Sequence, residues 1–347
     1  DVNYEEFNRM IDYYMEAGFS YFDTAHGYLG GKSETAVRDC LAARYPRESY
    51  TLTNKLSVHF FERESDIRPL FEQQLKATGV EYFDYYLMHA QDENIYRHFM
   101  KCNAYQVVQK LKEEGKIRHM GISFHDKADV LDMILKEHPE IEIVQIQFNY
   151  MDYESPSVES RKVYEVCRKY GKPVLVMEPV KGGGLARLPE EAKRELEDLG
   201  TGESPAAYAV RFAASFDGVF KVLSGMSDME QMKDNVSVMK AFRPFKEEEY
   251  KAVKRVCEIL NTMDTIPCTA CRYCTDGCPK HIQIPDLFGC FNAKKQFGDW
   301  NSDYYYGVHT KNNGRASDCI RCGQCEKICP QHLPVIEYLK ETAKVFE

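Results

Sequence analysis

The sequence predicts an α/β fold built on parallel strands, followed by a small, mainly helical C-terminal module. Two observations carry this expectation. Over the first 260 residues, short apolar, β-branched or aromatic runs alternate with longer helical stretches, the pattern of repeated βα units with buried parallel strands. Beyond residue 261 the alternation stops, and eight of the 13 cysteines fall into two short runs. The expected domains are therefore 1–261 and 262–347.

The elements follow in order. A helix over 4–17 opens the chain, and the strand Tyr21–Asp23 comes next. Then strands Tyr50–Leu56, Phe83–His89, His119–Ser123, Val144–Phe148, Val174–Glu178 and Val219–Ser224 alternate with helices near 34–44, 66–78, 96–114, 127–137, 157–170, 204–215 and 228–239. Each strand is short and rich in apolar or aromatic residues, as a strand buried on both faces must be. Residues 246–261 read as a last helix leading into the module, and 285–298 as a helix within it. A closed (β/α)8 barrel needs an eighth strand before the first helix. The simplest account places that strand upstream of Asp1.

Apolar content of 44% and charged content of 29% are those of a soluble globular protein. No run of 18 apolar residues predicts a membrane span, and no signal peptide is visible. The net charge of −9 argues against nucleic-acid binding. Cys40, Cys102, Cys167, Cys257 and Cys290 are scattered, which points to a reducing, cytoplasmic setting, and exposed clusters suggest an anaerobe.

Cys268, Cys271, Cys274 and Cys278-Pro279 form a C-x2-C-x2-C-x3-C-P run, and Cys319, Cys322, Cys325 and Cys329-Pro330 repeat it. This is the bacterial spacing for cubane iron–sulfur clusters, in which the fourth Cys ligates the other cluster. One 4Fe-4S cluster is expected on Cys268, Cys271, Cys274 and Cys329, and a second on Cys319, Cys322, Cys325 and Cys278. Zinc on four cysteines is the alternative, but zinc has no use for trios at steps of three, each followed by Cys-Pro.

In a βα barrel the chemistry sits at the C-terminal ends of the strands. Asp23 ends the first visible strand and Tyr28 follows five positions on; Lys55 and His89 end the next two strands. Taken singly, such residues are packing, ion pairs or structural hydrogen bonds. Together they suit protonation of an oxygen. Tyrosine is a poor acid near pH 7, with a reference pKa of about 10, and a nearby ammonium stabilises its phenolate. Lys55 can supply that ammonium, Asp23 can hold Lys55, and His89 can orient a carbonyl oxygen for reduction by a hydride-carrying cofactor.

At these residues the chain resembles the aldo-keto reductases. Phe22-Asp23-Thr24-Ala25, Tyr28 and Ser33-Glu34 look like that family's first signature, and Lys55 and His89 fall at its intervals. The resemblance runs from residue 1 to about 240. It implies a (β/α)8 barrel and an extended NADPH or NADH bound without a Rossmann glycine motif. It also implies Tyr28 as general acid/base, Lys55 and Asp23 as its tuners, and His89 as the carbonyl orienter. Ser123 and Gln145 match contacts to the nicotinamide amide. Met177, Glu178, Val180, Gly182 and Gly183 match the loop along the nicotinamide and pyrophosphate. Taken without the family, that glycine triplet through Gly184 is an ordinary flexible turn. Gly225, Gln231 and Asn235 match the loop around the adenosine end. Three departures stand out. Met177 occupies the place of a stacking aromatic, Phe124 that of an Asn, and Gly225 and Gln231 those of cations that hold a 2′-phosphate. The last departure leaves NADH open.

About 40 residues separate Cys278 from Cys319, as in the helical ferredoxin modules appended to some redox enzymes. Phe297, Trp300 and Tyr304-Tyr305-Tyr306 either pack around the clusters or cover an active-site mouth. Nicotinamide moves two electrons and a cubane cluster moves one. A flavin normally joins them, and no flavin motif is evident. Three functions compete: a carbonyl reductase or alcohol dehydrogenase with secondary clusters; an electron-transfer protein serving a flavoprotein or ferredoxin partner; and a nicotinamide-binding redox sensor.

Overall fold

A computed structural model of the chain describes residues 2–155, 158–262, 265–268, 270–329 and 331–347. Pro330 of the second cysteine run, and Ser157 at the expected start of one helix, lie outside the described residues.

Seven strands occur among the described residues: β1 (Tyr21–Asp23), β2 (Thr51–Leu56), β3 (Phe83–Gln91), β4 (Ile117–Phe124), β5 (Ile143–Gln147), β6 (Val174–Met177) and β7 (Val219–Val222). They form one parallel sheet in sequence order. The sheet curls. The Phe220 ring of β7 lies 6.4 Å from Tyr21 of β1 and 5.9 Å from Tyr85 of β3. Tyr21, Leu87, Ile143 and Leu175 make one interior cluster. Gly121 of β4 makes room for it: a Cβ there would stand 2.5 Å from Ile143 and 2.8 Å from Leu87.

The helices are α1 (Tyr4–Glu16), α2 (Lys32–Val37), α3 (Glu64–Thr78), α4 (Glu93–Lys101), α5 (Ala104–Glu113), α6 (Ala128–Glu137), α7 (Ser160–Lys169), α8 (Glu190–Glu197), α9 (Pro205–Ala214), α10 (Met229–Lys240), α11 (Glu247–Thr262), α12 (Tyr273–Asp276), α13 (Ile284–Phe297), α14 (Asn301–Thr310), α15 (Gln324–Ile328) and α16 (Val335–Phe346). Within residues 1–261 three differ from expectation, and of the helices beyond them the sequence places only α13. The helix expected over 34–44 passes after α2 into a wider π-type turn over Arg38–Ala42. The single helix expected over 96–114 is α4 and α5. Asn103 between them is left-handed (φ 51°), which ends the ladder, and Asp92 starts α4 by accepting from the Asn94 and Ile95 amides at 2.7 and 2.8 Å. The third is α8, which buries only Ala192 and Leu196, too narrow a stripe to read as an amphipathic helix.

The chain forms two compact units: residues 1–147, 163–177 and 216–243, and residues 148–162, 178–215 and 244–347. These units group residues by contact and are a separate matter from the expected division at 261. The first unit holds the whole sheet. The second has its own aromatic centre, in which the Phe212 ring lies 5.8 to 6.1 Å from those of Phe148, Tyr150, Tyr153, Phe245 and Tyr250. The loop after β5 and helix α9 contribute to that centre and fall in this unit, although the sequence places them among βα repeats. Around the cysteines lies a further core, including Ile282, Ile284, Leu287, Phe288, Val335 and Leu339. Among the described residues, no helix is long and apolar enough to cross a membrane.

Candidate functional site

In the first unit, the ends of β1, β2 and β3 bring the four expected polar residues together. Lys55 is fully buried between Asn54 and Leu56 of β2. Its ammonium donates to Asp23 Oδ1 and, at 2.9 Å, to the Thr24 carbonyl. It lies 4.8 Å from the centroid of the Tyr28 ring. The Tyr28 hydroxyl is 3.4 Å from His89 Nε2. Burial pushes the Asp23 carboxyl up, against the pull of Lys55. Burial opposes the Lys55 charge too, but Asp23 and then Tyr28 hold its pKa above the ordinary value. The Lys55 charge is kept because Asp23 and Tyr28 offset its lost hydration.

Tyr28 stands at a sharp turn: Leu29, Gly30 and Gly31 all have positive φ, at 53°, 64° and 86°. Tyr28 is 39% exposed.

Several residues support these four, and of them only Glu34 belongs to the signature read from the sequence. Glu34, fully buried, meets His26 Nδ1 at 2.7 Å and accepts from Asn54 Nδ2 at 2.8 Å. The Asn54 Oδ1 accepts from the Lys55 amide at 2.8 Å, and Gln74 donates to the Lys55 carbonyl at 2.9 Å. This chain of bonds holds the backbone that carries Lys55. Ser57 Oγ lies 2.6 Å from His89 Nδ1. Burial, then the charge of Lys55, push His89 well below its usual pKa, so the ring is neutral.

Of the expected cofactor residues in this unit, Ser123 and Gln145 face each other in register across β4 and β5. Both are buried, and the Gln145 Oε1 has no partner among the described residues. A buried, unsatisfied amide oxygen suits the amide N–H of a nicotinamide. Gln145 Nε2 instead meets the Met177 sulfur at 3.4 Å. The Ser123 Oγ accepts from the Ala90 amide at 2.7 Å and keeps its own proton to donate. Phe124 is buried. Gly225 has open space where a Cβ would be. Gln231 and Asn235 are turned to their own loop. Gln231 accepts from the Ser227 amide at 2.9 Å and donates to Asp228 at 2.8 Å, while Asn235 donates to Ser224 at 2.9 Å.

In the second unit, Glu178 Oε2 accepts from the Gly182 amide at 2.6 Å. The Val180 carbonyl is taken by the amides of Gly183 and Leu185, both at 3.1 Å. Gly182 and Gly183 are left-handed, at φ 61° and 89°.

The same unit carries two cysteine-lined cavities. One is lined by Cys268, Cys271, Cys274 and Cys329, the other by Cys278, Cys319, Cys322 and Cys325. Each takes three thiols from one run and the fourth from the other, as expected. The two runs repeat one backbone. Ala270 and Arg321 match at φ 55° and 56°, Arg272 and Gly323 at 64° and 74°, and His281 and His332 at 52° and 51°. Left-handed residues other than glycine are costly. Such left-handed turns are the backbone of amide nests, the concave feature that receives the sulfurs of an iron–sulfur group. Burial pushes the Cys274 and Cys325 thiols up to about 11, a cost that the charge of bound iron removes. The cysteines fit two clusters, and a cluster held there would supply one-electron transfer. Tyr305 and Tyr306 are buried in the surrounding core, whereas Trp300 is 62% exposed.

A curled sheet whose strand ends present Asp, Tyr, Lys and His defines an aldo-keto-reductase-like oxidoreductase. Residues 1–258 match the Aldo/keto reductase family, and 267–334 match the 4Fe-4S dicluster domain. The chain belongs to the aldo/keto reductase family and carries a 4Fe-4S dicluster domain. It is 24% identical over 272 residues to the uncharacterized oxidoreductase YqkF of Bacillus subtilis, covering 71% of this chain and 85% of that protein. It is 25% identical over 277 residues to human aldo-keto reductase family 1 member C1, covering 69% and 79%. A Klebsiella pneumoniae aldo-keto reductase solved with NADPH superposes at a TM-score of 0.59 and 18% identity, covering 73% of this chain and 85% of that one. The holo form of the Bacillus halodurans aldo-keto reductase AKR11C1 gives 0.57 at 25% identity, covering 72% and 86%.

The neutral histidines make a pH prediction. Burial pushes His125 down to about 4, and His89 shifts the same way. The unfolded chain takes up these protons near pH 6.5 and the folded chain does not, so stability falls as pH drops through that value. For His125 alone the loss between pH 7.5 and 5.5 is about 1 kcal/mol. Denaturant melts of wild type and His125→Gln should show the variant's pH slope flattened by that amount. Identical slopes would mean that His125 titrates in the fold as it does in the unfolded chain.

Proposed function

We propose that this protein is an NAD(P)H-dependent oxidoreductase that interconverts a carbonyl and an alcohol, with Tyr28 as general acid/base. The observation that carries the reading is the buried Lys55 ammonium, paired with Asp23 and set 4.8 Å from the Tyr28 ring. The nicotinamide, when bound, supplies the hydride. Tyr28 gives its phenolic proton to the carbonyl oxygen, and Lys55 stabilises the phenolate left behind. With Ser57 donating to Nδ1, neutral His89 carries its proton on Nε2 and offers it to the same oxygen. Ser123 and Gln145 are assigned to the nicotinamide amide, and Met177 to its ring face. Glu178, Val180, Gly182 and Gly183 are assigned to the loop beside it. The NADPH in the Klebsiella pneumoniae structure supports a nicotinamide here.

Tyr28→Phe removes the proton donor and should cut turnover by roughly 10²–10⁴-fold, the usual worth of general acid catalysis. An anaerobic screen of NADH and NADPH oxidation over aldehydes and ketones supplies the substrate for this test. Full turnover in the variant would exclude Tyr28 as the acid.

Gly225, Gln231 and Asn235 are assigned to the adenosine end. The Asp228 carboxylate beside Gln231 repels a 2′-phosphate and accepts readily from a 2′-hydroxyl, which favours NADH. Binding titrations should give NADH an affinity equal to or above that of NADPH. A preference for NADPH beyond about a hundredfold, nearly 3 kcal/mol, would instead mean that a cation such as Lys233 reaches the phosphate.

Electron exchange with a flavoprotein or ferredoxin partner is a second reading, favoured by the exposure of Cys271 and Cys322 in their cavities. On the primary reading, NADH alone leaves the clusters oxidised on the timescale of carbonyl turnover. Their reduction by NADH on that timescale, followed anaerobically by visible absorbance and with no other protein present, would favour the second.

A further inference from the structure

The loop after β6 is conformationally costly. Glu178 and Lys181 are left-handed, at φ 56° and 49°, and Gly182 and Gly183 follow them. At non-glycine residues such backbone costs about 1–3 kcal/mol and persists only where the surroundings impose it.

Those surroundings are specific. Lys181 is 2% exposed, and its ammonium lies 2.7 Å from Asp152 Oδ1 and 3.0 Å from Asp299 Oδ2. Burial opposes its charge, but the two aspartates hold its pKa well above the ordinary lysine value. Asn149 binds the start of the loop to the same group, donating to the Glu178 carbonyl at 2.9 Å and to Asp152 Oδ2 at 2.7 Å. Asp299 is itself fixed, its Oδ1 accepting from the Asn301 amide at 3.0 Å where α14 begins. At the far end of the loop, a Cβ on Gly184 would stand 2.6 Å from the Phe297 ring. Two independent contacts therefore fasten this loop to residues 297–299, which lie between the two cysteine runs.

We propose that the Asp152–Lys181–Asp299 triad, with Phe297 against Gly184, is a latch that holds residues 178–184 in the form that receives the nicotinamide coenzyme. Phe297 and Asp299 are then positioning residues for coenzyme binding, supplied by the cysteine-rich part of the chain. The inference rests on the coenzyme reading of residues 178–184 above. A buried ion pair adds little stability over well-packed apolar residues, so stability alone gives weak reason for three charges here. An ammonium that must reach two carboxylates at once does fix the loop's register.

The test uses the full chain with its clusters loaded, titrated with NADPH and NADH by coenzyme fluorescence. If loss of the latch leaves the receptive loop about one-tenth populated, the apparent Kd rises about tenfold. Asp299→Asn and Lys181→Met should each weaken the tighter-binding coenzyme by that order, and Lys181→Arg should keep most of the affinity. Iron and sulfide content and the electron paramagnetic resonance of the reduced clusters should not change. Unchanged affinity in Asp299→Asn and Lys181→Met with full iron content overturns the latch. Should these variants fail to fold, hydrogen exchange on the wild type decides. Saturating coenzyme should protect peptides over 178–186 and 295–303 together, and protection of the first without the second overturns the latch. Wild type that binds neither coenzyme overturns the coenzyme reading, and the latch with it; failure of the latch alone shows only in the variants or in the exchange pattern.

Discussion

The candidate site depends on keeping one ammonium charged inside the sheet. Lys55 is fully buried, and among the described residues Asp23, the Thr24 carbonyl and Tyr28 take the place of water around its ammonium. Removing one partner of a buried ion pair typically costs about 3–5 kcal/mol, because the other charge is left uncompensated. The strand ends are therefore not interchangeable positions. β1 must supply the carboxylate and β2 the ammonium. The bonds from Glu34 through Asn54 keep the β2 backbone in place. A fold that delivers successive strands side by side in sequence order meets this demand with no long-range rearrangement.

The cysteine-rich end obeys a different constraint. Its two runs repeat one backbone conformation, and each cavity borrows its fourth thiol from the other run. Neither cavity is complete unless both runs fold together. The stretch between them, α13 and α14, joins the two runs. It also meets the loop after β6 through Asp299 and Phe297. On the latch proposal, the cysteine-rich part of the chain also shapes that loop.

Much of this was legible in the sequence because the determinants are local. The alternation of short apolar runs and helical stretches located all seven strands to within two residues, and cysteine spacing alone paired the two cages. Asp23, Lys55 and His89 were readable because strand-end position is a local property, and Tyr28 because it follows Asp23 at a fixed spacing. Asn103 was not. Nothing in its neighbourhood marks a left-handed break between α4 and α5, and the helical period continues across it. The stripe of α8 was too narrow to see. The supporting shell escaped as well: Ser57, Asn54 and Gln74 are ordinary polar residues whose meaning comes from their partners.

By itself the sequence determined the parallel α/β order, the four polar strand-end residues and the crossed cysteine pairing. Each depends on spacing along the chain, which the backbone converts directly into position. Only the tertiary structure decided that residues 148–162 and 178–215 leave the repeat pattern and join the cysteine-rich unit. It alone placed Lys181 between Asp152 and Asp299, more than a hundred residues apart in sequence. A buried charge chooses its partners by distance in space, and no periodicity encodes that.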